Sequence, residues 1–342
     1  MIAPTSVDPE LAEMMSRVFA AHREKHGPEI GVAEWDPRLW KQLSELGLVR
    51  LTGREDSGGS GAGWHEAAAL IHAAVHHGVR IPVAEHDLLA GWLLETAGLP
   101  VGDARRTVCV LDDRGVASRV PWASQADRIA VVWRETDTYR LADVEVSELS
   151  ITGGSNIAHE PRDTVTFDTA GQAGTPLSPA IVDRLVLRGA LIRALQVCAA
   201  LDRILEMSIA HTCERVQFGR SLAKFQAVQI LVADIAAETS LARAAVEAAL
   251  GEAVRSDWTA TNLGFLVAVA RSCAGHAASV VVRNAHQVHG AIGTTREHRL
   301  HEFTQSALAW RSEYGSVNHW DNEVAVAAAA AGRDNLWALL TA

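Results

Sequence analysis

The 342-residue sequence has few cysteines and no cysteine pair: Cys109, Cys198, Cys213 and Cys273 are scattered, with no CxxC spacing. That distribution excludes a thiolate zinc ribbon and a disulfide framework, and it fits buried thiols in a reducing compartment. Basic excess is also lacking. The formal charge of −10 and pI near 5.8 argue against a nucleic-acid or acidic-membrane partner, since each requires a positive face. Long apolar runs are missing too; the alanine tract near residues 324–332 is too short to span a bilayer. The start, MIAPTSVDPELAEMMSRV, carries early acids and no cationic stretch ahead of an apolar run, so no export signal is expected. Absent as well are a GxSxG elbow and a Walker lysine, which removes the usual serine hydrolases and P-loop enzymes. A cytoplasmic protein with no membrane insertion is the expectation.

What is present is globular: 48% hydrophobic and 21% charged residues, enough for a sizeable core and two or three domains. Residues 1–104 carry helical periodicity. Leu11, Met14, Met15, Val18 and Phe19 fall on one helix face. Asp36, Pro37 and Gly47 read as N-cap, first turn and C-cap of a second helix. A glycine-rich loop at 53–63 leads into another helix, and HDLLAGWLLETAGLP ends at Gly98 and Pro100. Residues 105–177 change texture. TVCVLDD, DRIAVVW, TYRLADVEV and DTVTFD are short β-branched runs, which predict a meagre antiparallel sheet or barrel; GQAGTPLSP reads as a linker. Residues 178–342 return to helix, with spans near 179–213, 222–251, 258–289, 298–310 and 320–340 joined at FGRS, RSDW and HGAIGTT. The fold class is α+β, mostly α: an N-terminal helical domain, a small β-domain and a C-terminal four-helix bundle.

Histidines are plentiful, at AEHD (84–87), HQVHG (286–290) and REHRLHE (296–302). His298 and His301 could share a helix face, but no carboxylate stands at ligand spacing from these groups. They read as surface or partly buried histidines, with no metal site. CERVQFGRSLAKFQAVQ (213–229) is different. It interrupts a long helix with Phe218-Gly219, and it keeps Arg215, Gln217 and Gln226 beside the break. About sixty residues on stands QVHGAIGTTREHRLHE, with Gln287 and Gly290. A capped helical hairpin would explain Gly219 and leave the arginine and glutamines unexplained.

Together, RVQFGRSLAKFQ and QVHGAIGTTREHRLHE resemble the C-terminal helical domain of acyl-CoA dehydrogenases. LWKQLSELGLVRL with EDSGGSGAGWHEAAAL resembles that family's N-terminal helical domain, whose glycine-rich loop is structural, and VPWASQADRIAVV resembles its middle β-domain. The resemblance implies FAD binding, with Arg215, Gln217, Phe218, Gln226, Gln287 and Gly290 reaching the nucleotide across a subunit interface. The residue types suit such a ligand. A guanidinium fork matches a pyrophosphate, amides donate and accept at ribose and adenine edges, and small residues permit backbone approach.

Two parts of the family pattern are missing. TVCVLDDRGVASRVPWASQADR has neither the Thr-Glu-Pro-like turn nor the Gly-Ser-Asp loop that embrace the flavin ring and the thioester. The catalytic base is missing as well. One family position for that glutamate falls on Tyr314, within SEYGS, with Glu313 one residue off. The other falls on Gly189, beside Arg188 and more than a turn from Asp183. One residue of shift turns a helical side chain by roughly 100°, which leaves Glu313 as a displaced candidate, and tyrosine is a poor base at neutral pH. Such losses resemble the short subunits of actinobacterial α2β2 acyl-CoA dehydrogenases of steroid side-chain degradation. The resemblance then implies a full-length sister subunit, a shared FAD, a bulky CoA thioester as substrate and electron-transfer flavoprotein as acceptor. Two other readings stay open: a structural or regulatory homologue touching no cofactor, and a flavin monooxygenase or nitroalkane-oxidase-like enzyme on the same fold.

Overall fold

The computed structural model describes residues 7–27 and 31–341; the first six residues, on which the expectation of no export signal partly rests, lie outside the described residues. The chain divides after Arg188 into two compact units.

In the first unit, helix α1 (Pro9–His26) starts where the Asp8 carboxylate accepts the Glu10 N–H at 2.8 Å, and it buries Met15, Val18 and Phe19. Helix α2 (Pro37–Glu45) begins the same way, with Asp36 accepting from Arg38 and Leu39 N–H at 2.7 and 3.1 Å. It ends through Gly47 at φ +72°, with the Leu48 N–H returning to Leu43 O, a left-handed closure that suits glycine. These helices and α3 (Trp64–His77) enclose a core of Phe19, Trp35, Trp40, Leu43 and Leu70.

The glycine-rich loop between α2 and α3 folds onto itself. Gly61 N–H donates to Gly53 O, Ala62 N–H donates to Leu51 O, and a Cβ on Gly59 would stand 2.1 Å from the Gly53 carbonyl. Arg50 passes beneath, pairing with Glu95 at 2.5 Å and donating to Val101 O. These bonds turn the loop's polar groups inward, as a structural role requires. A turn of π-helix, Glu85–Gly91, then runs into α4 (Trp92–Thr96). His86 of AEHD is buried there with Glu85 and Asp87, which corrects the reading of that histidine as surface or partly buried; the π turn packs its whole circumference.

The β part is small, as expected, but it forms two sheets, one of them mixed, where a single meagre antiparallel sheet or barrel was expected. Strands β1 (Arg106–Val110), β3 (Arg128–Glu135), β4 (Thr138–Glu145) and β7 (Thr175–Leu177) form one sheet in the order β1-β3-β4-β7; β2 (Val116–Pro121), β6 (Arg162–Thr166) and β5 (Ser150–Thr152) form a second in the order β2-β6-β5. β1 and β3 run parallel, because β2 leaves for the other sheet and β3 re-enters in the original direction, as a crossover requires. The two sheets close on Cys109, Val131, Trp133, Val165 and Phe167.

The second unit holds most of α5 (Pro179–Glu214), then α6 (Gln226–Arg255), α7 (Leu263–His289), α8 (Leu300–Trp310) and α9 (Val317–Thr341), whose path breaks at Gly332 with φ +66°. The joints fall where the sequence places them. α7 is long and apolar enough to cross a membrane, yet it buries Leu263, Val267, Ala274, Val281 and Val288 while packing against α6 and α9, which is the burial of a bundle's core helix.

Candidate nucleotide-binding edge and base position

The break in CERVQFGRS is a β-hairpin rather than a plain helical turn. β8 (Val216–Gln217) pairs with β9 (Arg220–Ser221) around Phe218-Gly219, at φ +52° and +79°. A two-residue turn with both central residues left-handed is the geometry that matches strand twist. Glycine takes that conformation freely; phenylalanine does so against its Cβ. Phe218 is nevertheless 91% exposed, with Phe225 edge-on at 6.2 Å and the Arg220 guanidinium over Phe225 at 4.1 Å. Arg215 is exposed at the hairpin's base, its carbonyl accepting the Leu222 N–H at 2.9 Å. Among the described residues its guanidinium forms no ion pair.

Gln226 opens α6, Gln287 lies in the last turn of α7, and Gly290 ends α7 at φ +64°, its N–H donating to His286 O; all three are exposed. Nothing within 4 Å would meet a Cβ at Gly290. The two motifs come together at one end of the bundle. His211, in the last turn of α5 one turn before Arg215, stacks on His289 at 4.5 Å and 25°, and His298 stands 4.8 Å from His289. His289 is buried, another correction to the surface reading of the histidines. Local spacing groups His286 with His289 and His298 with His301, and it cannot bring His211 to either. The usable signal was that His289 directly precedes Gly290 and His211 lies one helical turn before Arg215. What this end offers is a free guanidinium fork, side-chain amides and an upright aromatic face, the donor set for a nucleotide's phosphates and base.

The two positions that the resemblance assigns to a base are in contact. Gly189 faces the Tyr314 ring so closely that a Cβ there would lie 2.2 Å from Tyr314 Cε1. Tyr314 itself sits at φ +52°. Glu313 points into the bundle, where Arg193 Nε donates to its Oε2 at 2.6 Å, the side chains being 11% and 1% exposed. Buried Arg271 donates to the carbonyls of Arg311 and Glu313 at 3.0 and 2.7 Å, fixing the α8–α9 connection; burial lowers its pKa to about 10. The segment is held by charge, and the Glu313 carboxylate is taken up in holding it.

In the β part, the stretch after β1 is a self-contained turn. Asp112 accepts from Arg114 N–H and Val116 N–H at 2.9 and 3.0 Å and pairs with the Arg114 guanidinium at 2.8 Å. Those bonds tie the Asp112 carboxylate into the tip itself.

Residues 183–325 match the model of the acyl-CoA dehydrogenase C-terminal domain. Over most of its length the chain is 28% identical to the acyl-CoA dehydrogenase IpdE2 of Mycolicibacterium smegmatis, covering 87% of this chain and 92% of that one. The chain is thus similar to acyl-CoA dehydrogenases along most of its length, and residues 183–325 carry that family's C-terminal domain. Solved structures agree on the fold. The ChsE4–ChsE5 complex from Mycobacterium tuberculosis superposes with a TM-score of 0.80 at 18% identity, covering 94% of this chain and 98% of that one. The Tcur3481–Tcur3483 steroid acyl-CoA dehydrogenase gives 0.79 at 22% identity, with the same coverage. As an acyl-CoA dehydrogenase homologue the protein is classed with the oxidoreductases, and its relatives use FAD in general.

Proposed function

We propose that this chain is the short subunit of a heteromeric α2β2 acyl-CoA dehydrogenase, acting in the cytoplasm on a bulky CoA thioester of the steroid side-chain type. A full-length sister would hold the flavin ring and the base, with electron-transfer flavoprotein as acceptor. The observation that carries the reading is the Gly189–Tyr314 contact. Both family positions for the base lack a carboxylate, one is filled by the ring of the other, and the adjacent Glu313 is paired with Arg193. α,β-Dehydrogenation requires a group to take the α-proton, and neither of these two positions offers a carboxylate for it.

The nucleotide end of FAD fits the residues present. Among the described residues Arg215 forms no ion pair, Phe218 is 91% exposed, and nothing within 4 Å would meet a Cβ at Gly290. With FAD bound, Arg215 would meet the pyrophosphate, Gln217, Gln226 and Gln287 would meet polar edges, and Phe218 would offer an apolar face. The chemistry that bound FAD supplies is acceptance of hydride from the thioester's β-carbon. Residues on one exposed edge grip a ligand from one side only, and a second chain has to complete the enclosure. The pairings named for the ChsE4–ChsE5 and Tcur3481–Tcur3483 relatives support a second chain of the same fold.

Expression alone and together with a full-length sister tests this. The lone chain is expected to purify colourless and inactive, and the pair to retain flavin and dehydrogenate CoA thioesters. A lone chain with stoichiometric FAD and dehydrogenase activity would overturn the proposal. Arg215→Ala in the purified pair should lower its flavin content; unchanged content would favour a structural subunit that touches no cofactor.

A further inference from the structure

We propose that His211, His289 and His298 form a binding site for a first-row transition-metal dication, zinc foremost, at the end of the bundle that carries Arg215 and Gly290. The potential ligand nitrogens of the three residues all lie within 4.8 Å of one another. They come from the last turn of α5, the last turn of α7 and the segment entering α8.

His289 is the built part of the site. It is only 5% exposed, and its Nδ1 donates to Ala285 O at 2.8 Å. A carbonyl can face only the protonated nitrogen, so the proton is on Nδ1 and the lone pair on Nε2. That Nε2 is buried and has no hydrogen-bond partner. A backbone carbonyl behind one imidazole nitrogen, with the other left bare, is the arrangement that orients histidines as metal ligands. Burial and the neighbouring histidines hold His289 at a pKa of about 4, and burial also lowers His211 and His298. These surroundings favour the uncharged imidazole, the form that ligates.

Three imidazoles without a carboxylate select zinc, cobalt, nickel or copper over magnesium or calcium. Zinc would take three protein nitrogens and one further donor. A tetrahedral site with Zn–N near 2.05 Å needs nitrogens about 3.3 Å apart. His211 and His298 are only half-buried and can turn inward onto the fixed His289. In turning, His298 exchanges a long 3.2 Å contact with the Leu300 N–H for the metal bond. The bound ion would cross-link the end of α5, from which the Phe218 hairpin springs, to the end of α7 and the glycine turn beyond it. Its consequence is positional: it would hold Arg215 in register with Gly290.

The test uses the untagged full-length chain titrated with zinc chloride and, for spectroscopy, cobalt chloride. One equivalent of zinc should bind and raise the melting temperature, and cobalt should give visible d–d absorption. His298→Gln and His211→Gln, both at half-buried positions, should each weaken zinc by at least about tenfold, since even the group hydrogen-bonded behind a ligand is worth about 10–100-fold. His289→Gln should abolish uptake. The control pair His22→Gln and His26→Gln, from the other histidine grouping, should leave it unchanged. No stoichiometric uptake, uptake indifferent to the substitutions at 211 and 298, or uptake lost in the control pair would each overturn the proposal. Flavin retention of the co-expressed pair is read separately, so failure here leaves the proposed function standing or falling by its own test.

Discussion

Gly189 and Tyr314 fit as socket and plug: the ring lies where any Cβ at 189 would stand, 2.2 to 2.5 Å from the Cε1, Cδ1 and Cζ atoms. A side chain cannot be added at 189 while the ring stays where it is. Gly189→Ala should destabilise the chain by about 1–3 kcal/mol through overpacking, despite alanine's better helix propensity. Tyr314→Ala should remove that penalty, so the double-mutant cycle should show a coupling of about 1–3 kcal/mol. Chemical denaturation of the four proteins measures it. Additive effects would mean that the ring and the helix backbone adjust independently.

Glu313 gives a contrasting prediction for stability and catalysis. Its carboxylate faces Arg193 at 2.6 Å, and leaving that arginine buried without its counter-charge costs about 3–5 kcal/mol. Glu313→Gln should therefore unfold at markedly lower denaturant. In the co-expressed pair, turnover per bound flavin should stay within a few-fold of the parent, because general-base loss costs about 100-fold or more. A fall of that size in a folded, flavin-loaded pair would restore Glu313 as the base.

Much of this molecule was legible in its residues. Asp36-Pro37 announces its helix because a side-chain cap and a fixed φ act locally, and the two bundle motifs stand out because glycine turns interrupt an otherwise continuous alanine-rich helical pattern. The parallel β1–β3 pair was not legible, since direction is set by β2 leaving for another sheet, which no local pattern records. β7, within TPL, was hidden by its proline in what reads as a linker. The three-histidine cluster was hidden for the same reason as most tertiary sites: His211 meets His289 through the packing of helix ends, a relation without a sequence period.

Phe218 tests whether the edge is kept for binding. A left-handed phenylalanine costs about 1–2 kcal/mol relative to a residue that tolerates that region, and at 91% exposure it recovers little by packing. Phe218→Asn should leave the chain's stability unchanged or raise it by up to about 1 kcal/mol. The same substitution should lower flavin retention in the co-expressed pair. Thermal unfolding and the flavin-to-protein absorbance ratio check the two halves. A clear loss of stability would show that the ring serves the hairpin rather than a ligand.

The buried neighbours His86 and Asp87 should oppose one another across mildly acidic pH. His86 accepts the Arg106 N–H on Nδ1 at 3.0 Å, and burial, helped by the charges of Arg106 and Arg50, lowers its pKa from 6.5 to about 3. Asp87, accepting from the N–H and hydroxyl of Thr52 at 2.9 and 3.0 Å, is raised by burial from 3.8 to about 6. As pH falls below 6.5 the unfolded chain protonates His86 while the folded one does not, so that histidine's contribution to stability is lost on acidification. Between pH 6 and about 4 the folded chain protonates Asp87 while the unfolded one does not, so Asp87 contributes the opposite slope. Each is worth about 1.4 kcal/mol per pH unit per proton, and in the parent they largely cancel. His86→Gln keeps an acceptor for Arg106 and removes one slope; relative to the parent it should gain stability from about pH 6 to 4.5. Asp87→Asn keeps an acceptor for Thr52 and should lose stability over the same interval. Urea midpoints at the two pH values decide the matter: parallel behaviour of the two variants would mean that neither group is held away from its ordinary pKa.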